Sequence, residues 1–363
     1  MTKGRHQHIV SNYRQQLTRH EKQAEQQLEQ AYQHVMRTLD PVLNRLYQDM
    51  TNKLNAGEKI PPSWLYEARR LEAIKSLIET SVDHFSAFSR VQVSQLQHWA
   101  AQLGQESAMQ MLHATVPEGV HWRFIAPDTK AIANIVGATQ KGSPLSDLFE
   151  GFGREAADGA AKALITGVTM GWNPRQIAPL VMQALGISHN RALTIARTNM
   201  IDAYRSSNLE TMRANNDVVD QWRWVADKSI RTCSMCLAMD GTLHDLDEDL
   251  DSHPNCRCTP VPVTKSWEDI LSPLGIDTSG IPETSASADD YQSGVDWFDQ
   301  QDKKTQLDIL GAAKYAAYQA GDITLSSLVY HGHDPDWGGY RQEKSLKAAI
   351  GAKKAQKYYA NAR

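Results

Sequence analysis

The sequence predicts a mainly α protein of the α+β kind. Elongated helical hairpin and bundle segments would be joined to one small zinc-braced β-hairpin. Three observations carry that reading. Long stretches repeat apolar residues at three- and four-residue steps. The period falls to two in two short places, residues 221–225 and 259–263. All four cysteines of the 363-residue chain lie between Cys233 and Cys258, in the interval separating those two places. A hydrophobic content of 41% and a mean hydropathy of −0.50 are lean for one large core, which favours extended helical parts over a compact globule.

Residues 1–112 form the first expected domain, a helical hairpin. Leu28, Ala31, Tyr32, Val35, Leu39, Val42, Leu46 and Met50 make an apolar stripe on a polar rod. Asp40 followed by Pro41 has the form of an N-cap and first helical residue, so a new helix is expected there. After Pro61 and Pro62, Ser63 is placed to cap a second helix carrying Trp64, Leu65, Leu71, Ile74, Leu77 and Ile78. Residues 113–217 form a central helical domain, irregular around Pro117, Gly119, Trp122 and Pro127, with helices resuming near Leu145. Asn173, Pro174 and Gln176 read as a capping box with proline at the first position. Gly186 is expected to stop that helix and Ser188 to cap the next, which runs through Ala192, Ile195, Ala196, Ala203 and Tyr204. Arg197, Thr198, Asn199 and Asp202 within it read as surface or capping polars.

Residues 218–264 are the knuckle hairpin. Alternation puts Trp222 and Trp224 on one strand face and Gln221 and Arg223 on the other. Pro260 and Pro262 lack N–H donors and confine the second strand to an edge. Residues 265–290, with Pro273, Gly275, Gly280 and Pro282, read as a linker. Residues 291–363 carry a last helical segment from 295 to 329, with Gly321 as a stop and Asp322 as cap of a short helix through Leu325, Leu328 and Val329, and then a basic tail.

The chemistry concentrates at Cys233, Cys236, His253, Cys256 and Cys258. A Cys-x2-Cys turn lets two thiolates converge on one ion, and the second knuckle offers three candidates for the two remaining positions. The pattern leaves open whether the set is all four cysteines or three cysteines with the histidine. Either is a closed site, hence structural rather than catalytic. Structural zinc contributes roughly 10–16 kcal/mol in finger peptides, enough to fold a hairpin that hardly stands alone. Clustered cysteines in a chain without a secretory hydrophobic segment, read as assembled in a reducing cytoplasm, favour metal over disulfides.

A net charge of −4 and a pI near 6.4 argue against a protein whose whole surface grips nucleic acid. The acidic run from Asp240 to Asp251 reads as a solvated loop and lacks the EF-hand pattern. The basic tail offers Lys353, Lys354 and Lys357 as candidates for nonspecific DNA contact. No apolar run reaches the roughly 18 residues of a membrane span. Nucleophile elbows, phosphate loops and paired carboxylates with an evident role are all missing, so no enzymatic activity is expected.

Ala196-Arg197-Thr198-Asn199, Trp224 through Asp227 to Arg231-Thr232-Cys233 and Cys236, Asp240-Gly241, and His253-Pro254-Asn255-Cys256-Arg257-Cys258 follow one another in the order and spacing of a known signature. Over about residues 160–263 the chain resembles the phage head-morphogenesis proteins, the Mu F-like minor head proteins. It departs from them at Asn199, where the pattern leads one to expect glutamate. The resemblance implies a minor capsid protein of a tailed phage, assembled in the host cytoplasm and resident in the head near the portal. Its implied partners are the portal and capsid or scaffold components, its tasks assembly, DNA packaging or DNA delivery. The alternative is a zinc-dependent nucleic-acid-binding module without catalysis, in which Trp222, Arg223 and Trp224 stack on and pair with a single strand.

Overall fold

The computed structural model describes residues 2–139, 143–280, 291–334 and 338–361. It is mainly helical, with two small antiparallel sheets. The chain divides into two units, one of Met1–Leu17, Gln97–Gly142 and Ile201–Arg363, the other of Thr18–Leu96 and Ser143–Met200. Among the described residues, no helix is long and apolar enough to cross a membrane.

Helix α1 runs unbroken over Thr2–Asn55 with Pro41 inside it, so the expected new start at Asp40 is corrected. A proline inside a helix costs about 3 kcal/mol. The buried stripe of Leu28, Leu39, Leu43, Leu46 and Met50 outweighs that, at roughly 1.5–3 kcal/mol per large apolar side chain. The second helix also starts later than expected. Ser63–Tyr66 is a single turn, α2, that buries Trp64 and Leu65; positive φ at Ala68 and Arg69 then redirects the chain into α3, Arg70–His113. In the second unit, Phe85 of α3 meets the Tyr32 ring edge-on at 5.7 Å.

A short α4, Thr129–Ile135, precedes α5, Phe152–Thr169, and α6, Pro174–Arg213. The capping box at the start of α6 is present in both directions: Gln176 N–H donates to Asn173 Oδ1 at 3.2 Å and Asn173 N–H to Gln176 Oε1 at 3.1 Å. Gly186 does not stop this helix. Leu185, Ala192, Ile195 and Ala196 are buried on one continuous stripe, and Ser188 donates to the Phe152 carbonyl instead of capping. Thr198 and Asn199 are buried rather than surface polars, and Arg197 pairs with Glu21 and Glu25 of α1.

The first unit holds the knuckle. Its sheet has three strands in the order β2-β1-β3, with β1 at Val219–Val225, β2 at Leu243–Asp245 and β3 at Thr259–Thr264; Ser234–Met239 forms α7 between β1 and β2. The expected hairpin therefore gains a strand from the acidic stretch. Trp222 lies opposite His244 on one side and Pro262 on the other, and Trp224 opposite Pro260. Both prolines sit on an edge strand, where a missing donor is tolerated. The opening of the expected linker is instead α8, Trp267–Leu271, whose buried Trp267 donates its indole N–H to the Thr115 carbonyl at 2.7 Å. Residues 281–290 of that linker lie outside the described residues.

Helices α9, Gly294–Asp299, and α10, Lys303–Gln319, follow, and Gly321 ends α10 at φ +73° as expected. Asp322 does not cap the next turn; it accepts from Tyr358 and from Lys354, while Thr324 and Ser327 close the turn. An unexpected hairpin comes next, β4 at Val329–Asp334 and β5 at Gly338–Glu343, and then α11, Leu346–Ile350, and α12, Ala352–Asn361. These pack around Phe298, Leu310, Ile323, Leu328 and Leu346.

Candidate metal centre

Cys233 is the N-cap of α7, and its Sγ accepts the backbone N–H of Cys236 at 3.4 Å. The second knuckle turns at Asn255, which has φ +65°. There Cys256 N–H donates to the His253 carbonyl at 3.2 Å and Cys258 N–H approaches the Cys256 sulfur at 3.5 Å. The Pro254 carbonyl can only accept, so the His253 Nδ1 at 2.8 Å from it carries the proton. That leaves Nε2 facing Cys233 Sγ, 3.3 Å away, and Cys236 Sγ, 3.6 Å away. Cys236 and Cys256 sulfurs are 3.6 Å apart, and all four thiols are free of disulfides.

All five sequence candidates are thus gathered, as two overlapping groups of atoms able to hold a metal: Cys233, Cys236 and His253, and Cys236, Cys256 and Cys258. With Zn–S at about 2.3 Å and Zn–N at about 2.0 Å, a tetrahedral zinc separates two thiolates by about 3.8 Å and a thiolate from an imidazole nitrogen by about 3.5 Å. The observed separations fit that donor set. The cluster shares its protons unevenly: the bond to Cys233 holds Cys236 well above the ordinary thiol range, and burial does the same to Cys258. A hydrogen bond from the Cys236 thiol draws Cys233 down to about 5. Burial would raise Cys256, but bonds from Cys236 and Cys258 and the nearby Arg205 charge hold it well below the ordinary thiol range. Burial would lower His253, yet its bond to Cys233 and the charges of Cys256 and Cys233 raise it to about 9.

Arg205 was not singled out from the sequence. It is only 4% exposed on α6, donating from Nε to the Cys258 carbonyl at 2.7 Å and from Nη2 to the Cys256 carbonyl at 2.9 Å. Its Nη1 meets Asp202 at 3.1 Å, and burial pushes that carboxyl up to about 6. A signal was available: Arg205 falls at helical spacing with buried Ile201, Leu209 and Met212, on a face where a solvated arginine does not belong.

The acidic run is not a plain solvated loop. Asp240 is buried, accepting from Ala226 N–H at 2.6 Å and Tyr291 hydroxyl at 2.8 Å, with Lys228 at 3.0 Å. Asp249 pairs with Arg213 at 2.8 Å, and Glu248 with His244 at 3.1 Å. Trp222 and Trp224 are fully buried, so neither presents a face to a base. Lys353, Lys354 and Lys357 are exposed on α12, Lys354 in an ion pair with Asp322 at 2.7 Å.

The densest chemistry of this polar, mainly helical chain is its cysteine–histidine cluster. The comparisons carry this further. Residues 158–261 match the family described as Phage Mu protein F like protein. The matched segment includes all five candidate ligands. No curated protein and no solved structure matches the chain.

Proposed function

We propose that this protein is a minor capsid protein of a tailed phage that docks on the portal inside the head and assists capsid assembly, DNA packaging or DNA delivery. The observation that carries the reading is the family match over residues 158–261, which runs from within α5 through α6 and into β3 as one continuous stretch. Zinc held by Cys233, Cys236, Cys256 and His253 braces the sheet and performs no chemistry. Four protein ligands leave no open position for water or substrate. Cys233, Cys236 and Cys256 are common to both ligand sets, and the ring orientation of His253 favours it over Cys258 as the fourth. Other head components are the expected partners, and any contact of Lys353, Lys354 or Lys357 with packaged DNA would be salt-sensitive and independent of sequence. The alternative of a nucleic-acid-binding module has lost its stacking platform with the burial of Trp222 and Trp224.

Co-expression with the portal protein of the same phage tests the docking. The two should co-purify through size exclusion at low salt, in a fixed ratio. Clean separation at low salt, with both proteins folded by circular dichroism, overturns portal docking.

A further inference from the structure

We propose that Arg205 is the counter-charge and positioning residue of the metal centre. The inference rests on the metal reading above and adds a residue to it. Two geometric facts carry it. First, the guanidinium is buried, yet only one of its nitrogens meets a carboxylate, Asp202 at 3.1 Å. Its other two bonds go to the carbonyls of Cys256 and Cys258, at 2.9 and 2.7 Å, which place its positive charge behind the sulfurs. A divalent ion with three thiolates and a neutral imidazole carries a net charge of about −1, and with four thiolates about −2. Such a centre, removed from water, needs a nearby cation. Second, the two carbonyl bonds hold the chain on both sides of the N–H that Cys258 aims at the Cys256 sulfur, 3.5 Å away. Fixing that turn orients Cys256 toward the ion. A planar fork suits the task better than an ammonium, because it binds two carbonyls in one plane while keeping its charge.

Arg205→Met and Arg205→Lys, made in the full chain, test the assignment by competition with a chromophoric zinc chelator and by the visible spectrum of the cobalt-substituted protein. Arg205→Met should weaken the metal roughly 10–100-fold, the range seen when outer-shell partners are removed. Its cobalt bands should shift or broaden as the Cys256 geometry loosens. Arg205→Lys keeps the charge but not the fork, so it should recover part of the loss. A residue that merely supports the fold would lower thermal stability equally with and without metal and leave Kd unchanged. Should Arg205→Met not fold, Arg205→Lys decides alone: a Kd within twofold of wild type overturns the proposal. A wild-type chain that takes up neither zinc nor cobalt overturns the metal reading itself, and this inference with it.

Discussion

Cys236 belongs to both groups of candidate ligand atoms, and its sulfur lies 3.6 Å from both the His253 Nε2 and the Cys256 Sγ. Its replacement by serine should therefore abolish metal binding. Cys258 and His253 separate the two ligand sets. With His253 Nδ1 fixed on the Pro254 carbonyl and Nε2 turned to the sulfurs, Cys258→Ser should retain about one zinc per chain, whereas His253→Ala should lose it. Metal quantification on the purified variants checks this; retention by His253→Ala and loss by Cys258→Ser would establish an all-cysteine site. Sequence spacing gathered the five candidates because knuckles are local objects. It could not choose among them, since the choice depends on a ring orientation; helical spacing marks Arg205 as buried but not its partners, carbonyls more than 50 positions away.

At the scale of elements, the helices were legible where periodicity was strong and misplaced where local punctuation was trusted over packing. Pro41 and Gly186 are both helix breakers by propensity, and both lie inside helices whose apolar stripes run straight past them. The hairpin of β4 and β5 stayed hidden because its strands, with Gly332 and Gly339 opposite Tyr340 and His333, show no alternation of apolar residues. Two glycines make the competition measurable. A Cβ on Gly104 of α3 would fall 2.1 Å from the Tyr204 carbonyl oxygen of α6, a backbone atom that cannot swing away. Gly104→Ala should thus destabilise by about 1–3 kcal/mol, despite gaining about 1 kcal/mol of helix propensity. Gly186 has open space around the same position, so Gly186→Ala should stabilise by up to about 1 kcal/mol. Urea unfolding midpoints give both signs. If Gly104→Ala proves neutral, the close helix approach is wrong.

Across the whole chain, the family match and the cysteine–histidine cluster fall on the same segment. The candidate centre falls entirely within the first unit, beside a core that contains Trp222, Trp224, Cys236, Cys256 and Cys258. The second unit has an apolar interior of its own, with Leu28, Leu39, Ile78, Phe85 and Leu164 buried. A three-stranded sheet whose β2 has only three residues depends on what packs against it, whereas long helices with continuous buried stripes carry their own core. Removing the ion should then act locally. Amide hydrogen exchange with and without a strong chelator should show lost protection in β1, α7, β2 and β3. Amides of residues 18–96 should exchange at unchanged rates, because no candidate ligand lies there. Protection in the sheet that is indifferent to the chelator, in protein shown to start with bound metal, would mean that the Trp222 and Trp224 core alone holds the knuckle together. Loss of protection throughout both units would mean that the brace governs the folding of the entire chain.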